Sequence, residues 1–162
     1  MSIRTTMKVQ RRGNLQNKVR DLEQATRGPH GVKVGFPKGK SPQTVIEYAV
    51  YNHFGTAGRT PRRGGWGAPI PARPFITAAL YPVQKQLRAE LRGIARNVVR
   101  GDGSLLQGMT HLGLWGQDLI QTQIRSNMGP PNSPMTVALK GSSRTLIDDG
   151  RMLQSVTFEV EK

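Results

Sequence analysis

Cysteine is absent from this sequence, and with it go disulfides, thiolate metal sites and cysteine nucleophiles. That composition fits folding in a reducing cytoplasm. No apolar run approaches the roughly 20 residues that span a bilayer. Residues 1–13 (MSIRTTMKVQRRG) lack the apolar stretch of a signal peptide, so neither a span nor a leader is expected. Catalytic patterns are missing too. His30, His53 and His111 have no second histidine or carboxylate at metal-ligand spacing, and there is no HExxH. No GxSxG elbow occurs. Gly39-Lys40-Ser41 resembles the end of a phosphate loop, but position 34, where the upstream glycine belongs, is Val. The adjacent acids Asp148 and Asp149 suit a helix start better than a catalytic pair. No enzyme, cofactor or metal site is expected.

Acidic residues are scarce, and this is the loudest feature. Asp+Glu number 10 against 24 Lys+Arg, for a formal net charge of +14. Such a balance speaks to partners: nucleic acid, an anionic membrane, an acidic protein surface, or a basic surface with no dedicated ligand. Aromatics are only 6% and few sit among the cations, and the patterns of base-reading modules are missing. Contact with DNA would then be to the backbone, without sequence preference. The charge is also polarised along the chain. Arg4, Lys8, Arg11, Arg12, Lys18 and Arg20 precede the first acid, Asp21, while Asp148, Asp149, Glu159 and Glu161 stand near the end. A head-to-tail assembly could use that polarity.

At 162 residues the chain fits one domain able to bury a core without disulfides. Residues 1–12 suggest a basic arm or an edge strand, and 13–162 a single α+β domain. Leu15, Val19 and Leu22 have helical spacing within 14–26. Alternation over 32–36 predicts a short strand. In 44–54, Val45, Ile46, Ala49, Val50 and Phe54 share one helical face, with Thr44 and Glu47 as a capping box and Gly55 as the terminator. The segment 56–73, rich in Gly, Pro and Arg, is expected to be one extended loop carrying Arg59, Arg62, Arg63 and Arg73 around Trp66.

Beyond it, Pro74 opens an amphipathic helix marked by Leu80, Val83, Leu87, Leu91, Ile94 and Val98. Ser104 caps a second long helix over 104–126. The prolines of 130–134 mark a stop, with loop over 135–145. A short helix is expected within 146–153, led by Asp148 or Asp149, and a terminal strand over 155–161. The fold expected is a small antiparallel sheet packed against two long helices.

Each long helix carries a second signal. On the first, Lys85, Arg88, Arg92, Arg96 and Arg100 form one stripe opposite the apolar positions, with Glu90 as the sole local acid. Together with Arg59, Arg62 and Arg63 these are the candidate contacts to DNA or an acidic partner. On the second, Asp118 is the only formal charge between positions 104 and 124. Gly108, Gly113 and Gly116 lie along it, each costing about 1 kcal/mol of helix stability against Ala. Such a helix is expected to bury both sides, one in its own core and one against a neighbouring subunit, the alternative being a simple core helix. Trp66, Leu112, Trp115, Gln117 and Gln121 are the candidate interface residues.

Several segments, taken in order, resemble a known family. Val34-Gly35-Phe36-Pro37, then Ala49 to Thr56 (AVYNHFGT), then Ile70 to Ile76 (IPARPFI) form one group. Pro130 to Pro134 (PPNSP) with Thr136, Lys140-Gly141-Ser142-Ser143, and Leu146 to Val156 (LIDDGRMLQSV) form the second. They are similar to the motif series of tailed-phage neck and tail-completion proteins, the virion-morphogenesis group, over most of 32–156. His53 stands where that family commonly has Glu, and Asp149 where it often has Thr. The resemblance implies a small α+β subunit forming a ring, expected to be sixfold, at the head–tail junction. It implies partners in head-completion or connector proteins and in tail-terminator or tail-tube proteins, residence in the virion after assembly in the host cytoplasm, and no catalysis. DNA in the channel would be a non-specific partner inferred from charge alone. The alternative is a free-standing basic accessory protein on the DNA backbone.

Overall fold

In the computed structural model, residues 19, 20, 23, 27–29, 31–57 and 69–161 are described. The N-terminal arm (1–12) and most of 14–26 therefore lie outside the described residues. Val19, Arg20 and Glu23 are helical, as the spacing predicted.

Among the described residues, two strands far apart in sequence make the sheet. Strand β1 (Gly31–Gly35) pairs antiparallel with β2 (Thr157–Glu161), with Val32 opposite Val160 and Val34 opposite Phe158. A two-stranded ribbon is marginal alone, and helix α4 (Leu105–Arg125) covers one face of it. Position by position the approach is close. A Cβ at Gly116 would lie 3.1 Å from Val34, and one at Gly113 would fall within the Phe158 ring. Val34 and Phe158 are register partners, so their side chains press together into the shallow face that the two glycines leave. The α+β architecture is as expected, with one difference: of the two long helices, only α4 lies on the sheet.

The other long helix, α3 (Gln84–Arg100), packs on α4, where Ile94 occupies the gap left by Gly108. It is not continuous with the residues before it. Helix α2 (Phe75–Leu80) precedes a turn at 81–83, where one helix from Pro74 onward was expected. Pro82 is the reason: it has no N–H for the carbonyl of Ala78, and its ring would clash there.

Helix α1 (Gln43–Phe54) starts two residues earlier than a Thr44 cap would place it, after Pro42, and has no side-chain cap. Thr44 and Glu47 do not form a capping box; Glu47 Oε1 instead accepts from Gln43 Nε2 at 3.2 Å. Ser104 does cap α4, accepting from Gln107 N while Gln107 Oε1 accepts from Ser104 N. A further correction falls on 135–145. Pro134–Lys140 is helix α5, with Ser133 capping Thr136 N at 3.2 Å. Proline after serine opens a helix here, because position N1 needs no N–H. Helix α6 (Arg151–Gln154) follows Asp149, whose Oδ1 accepts from Arg151 N at 3.0 Å.

The core lies where α1, α2, α4 and the C-terminal segment meet. Phe75, Ile120, Ile124 and Val156 are fully buried there, with Val45, Ala49, Leu146 and Met152 around them. The edge of the 155–158 segment is tied back to the turn before α1. Ser41 Oγ donates to Ser155 O at 2.9 Å, and Lys40 Nζ to Phe158 O at 3.0 Å.

Candidate functional site

Arg73 organises one wall of the molecule. Its side chain enters the fold ahead of α2 and is only 3% exposed. Nε donates to Pro130 O at 2.8 Å, and one terminal nitrogen donates to Pro131 O at 3.3 Å and Asn132 Oδ1 at 3.2 Å. Burial lowers its pKa from the ordinary guanidinium value, and the acceptors around it are neutral oxygens. Its backbone N donates to Asn52 O of α1 at 2.8 Å. Asn132 passes the link on, donating Nδ2 to Arg144 O at 2.9 Å. Arg73, expected among the cations of an exposed loop, is therefore a buried clasp.

Gly55 makes the same wall possible. Its φ is +74°, and a Cβ there would lie 2.8 Å from both Ala72 N and Ile70 O. The loop expected over 56–73 is closed at its base by the bridge between Thr56 and Ile70. The two motif groups noted in the sequence thus meet in space, one at Asn52, Gly55 and Arg73, the other at Pro130, Pro131 and Asn132. Between them opens a groove of about 790 Å³. Tyr48, Asn52, Thr136, Lys140, Asp148 and Arg151 are among the residues that line it. Asp149 is held by Arg151 Nε at 2.9 Å.

The basic stripe is where the sequence placed it. Lys85, Arg88, Arg92, Arg96 and Arg100 are all exposed on α3, and none forms an ion pair among the described residues. On the opposite side Val98 is buried and Ile94 half-buried, while Leu87 and Leu91 stay partly exposed. Arg59, Arg62, Arg63 and Trp66 lie outside the described residues.

The interface residues expected on α4 fare differently. Leu112 is buried within the chain itself. Gln121 is half-buried and donates Nε2 to Leu153 O at 3.3 Å. Trp115 and Gln117 are half-buried. The glycines are filled from inside by Ile94, Phe158 and Val34, so they serve the fold and leave no slot for a neighbouring backbone. The large apolar residues that α4 shows to solvent are Leu106 and Leu114, among polar neighbours such as Gln107, His111 and Asp118.

The larger exposed apolar residues were missed. Val50, Tyr51 and Phe54 of α1 are exposed, Phe54 at 73%, as are Met135 and Leu139 of α5, Leu139 at 84%. Val50 and Phe54, expected on one helical face with Val45 and Ala49, do not share the burial of those two. The available signal was excess: apolar residues surround α1 more widely than one core contact can use.

His53 sits between α1 and α2, its ring edge-on to Phe75 at 5.4 Å, with Nε2 3.4 Å from Thr77 Oγ1 and Nδ1 buried without a hydrogen bond. Desolvation lowers its pKa from the ordinary 6.5. The fold therefore favours the neutral ring and binds a proton less readily than the unfolded chain. Stability conferred by this site is full above about pH 6.5 and declines as pH falls from there toward the depressed folded-state value. Urea midpoints should drop more steeply between about pH 7 and pH 5 in the native chain than in His53→Gln, which has no ring to charge.

No protein-family model, curated protein or solved structure matches this chain. Among the described residues no cluster of three or more His, Asp or Glu is placed to hold a metal ion, and no helix is long and apolar enough to cross a membrane.

Proposed function

We propose that this chain is a structural subunit of a tailed-phage neck, assembling with its own copies into a ring that joins head-completion or connector proteins to the tail. The observation that carries this reading is the Arg73 clasp. It ties the IPARPF segment to the PPNSP segment through Pro130, Pro131 and Asn132, so that motifs far apart in sequence make one wall. Segments that carry the resemblance and also hold one another in place support the reading. The exposed apolar residues of α1 and α5 support assembly, since a subunit that stays monomeric has little reason to keep Phe54 and Leu139 in water.

Deleting the gene from its phage is the direct test. Filled heads and free tails that do not join are expected, and complementation by the native chain should restore joined particles. Normal joining without the protein would end this reading. The α3 stripe favours a second one, a free-standing accessory on the DNA backbone. It would be supported by normal particle joining together with stable monomer in sedimentation.

A further inference from the structure

The exposed cations of α3 have a property that sequence spacing alone did not give: no carboxylate of the described residues answers them. Glu90 projects from the flank of the same helix, away from the stripe. The acids near the C-terminus are partly committed, Glu161 to Lys33 and Asp149 to Arg151. A second copy has few carboxylates to offer. Every copy brings 24 cations against 10 acids, a net +14, so contact between copies leaves most of the cations unanswered even where a few acids meet them. Like charges four residues apart also destabilise the helix that bears them. A face kept at that cost calls for a polyanion from outside the chain.

We propose that this face of α3 is a docking surface for the phosphate backbone of double-stranded nucleic acid. From Lys85 to Arg100 it runs about 22 Å at the α-helical rise. A duplex carries one negative charge per about 1.7 Å of axis, so each cation finds a phosphate without a matched register. The stripe contains no aromatic side chain, and bases are therefore neither stacked nor read. A lipid surface fits less well. Ile94 is held against α4 and Val98 is buried, so α3 cannot turn its apolar side into a bilayer. The inference does not rest on the neck reading, because a ring subunit and a free-standing protein would use the same face.

The test measures binding of a fluorescent duplex to the full chain by anisotropy, from about 50 to about 200 mM salt, where the logarithmic salt slope counts the phosphates engaged. One variant carries Lys85→Gln, Arg88→Gln, Arg92→Gln, Arg96→Gln and Arg100→Gln. A second, of equal net charge, carries Arg20→Gln, Arg27→Gln, Lys38→Gln, Arg125→Gln and Arg144→Gln, all at exposed positions. Circular dichroism confirms that both are folded. The α3 variant should lose about two units of slope or more, and the second variant clearly less. AT-rich and GC-rich duplexes should bind alike. Equal losses in the two variants, a smaller loss on α3, or undetectable binding of the native chain at the lowest salt would each overturn the proposal. So would tighter binding to vesicles of equal parts phosphatidylcholine and phosphatidylserine than to the duplex.

Discussion

Replacing Arg73 by alanine should lower stability by about 3 kcal/mol, a fall of roughly 6–12 °C in thermal midpoint for a chain of this size. Three hydrogen bonds from a charged donor disappear together, each of a kind that contributes about 1.5–3 kcal/mol when measured singly. They share one side chain and one turn, so their sum overstates the loss. Part of the cost is also recovered when water from the adjoining groove reaches the freed carbonyls. Against that stands the stem, almost wholly buried, whose removal leaves a void. Arg73→Lys should recover less than half. A single ammonium cannot reach Pro130 O and Asn132 Oδ1 with the fixed fork of a guanidinium. Asn132→Ala should lose about 1–2 kcal/mol, and the double variant much less than the sum, because both break one path from α1 to Arg144. Equal stability of Arg73→Ala and the native chain in urea would remove the clasp from the account.

Local periodicity carried the parts of the fold that one segment decides alone. The Ser104–Gln107 box, the α3 stripe and the alternation of Val32 and Val34 or of Phe158 and Val160 are set by neighbours within a few residues. What was lost depended on partners distant in sequence. Pairing of β1 with β2 joins Gly31 to Glu161, and nothing local in either strand names the other. Arg73 lies in a stretch crowded with exposed-type residues, so its cation was grouped with Arg59, Arg62 and Arg63. Only the turn at 130–132 shows that it points inward. Two misses were legible after all. Pro82 sits inside the apolar pattern and forbids one continuous helix, and Ser133-Pro134 has the chemistry of a helix start.

The glycines of α4 show how the same residue type admits two explanations that a substitution separates. Gly113→Ala would add about 1 kcal/mol by helix propensity if nothing opposed it. A methyl there meets the Phe158 ring, which is held between α4 and the strand pair, and overpacking of this kind costs about 1–3 kcal/mol or more. The ring cannot swing aside cheaply, since the clash is with its inner atoms and not with a flexible tip. The steric cost wins, and Gly113→Ala should be less stable by about 2 kcal/mol, or roughly 4–8 °C. Gly93→Ala on α3 provides the contrast. A Cβ there meets nothing within 4 Å, so the propensity gain of about 1 kcal/mol should appear undiminished. Removing the ring should reverse the first sign: in a Phe158→Ala background, Gly113→Ala becomes neutral or stabilising. Had Gly113 been kept for a neighbouring subunit, its substitution would leave the monomer's midpoint unchanged or raised and would weaken only association. A destabilised monomer whose penalty vanishes with Phe158 assigns the glycine to the helix–sheet contact, and leaves the exposed residues of α1 and α5 as the places to look for assembly.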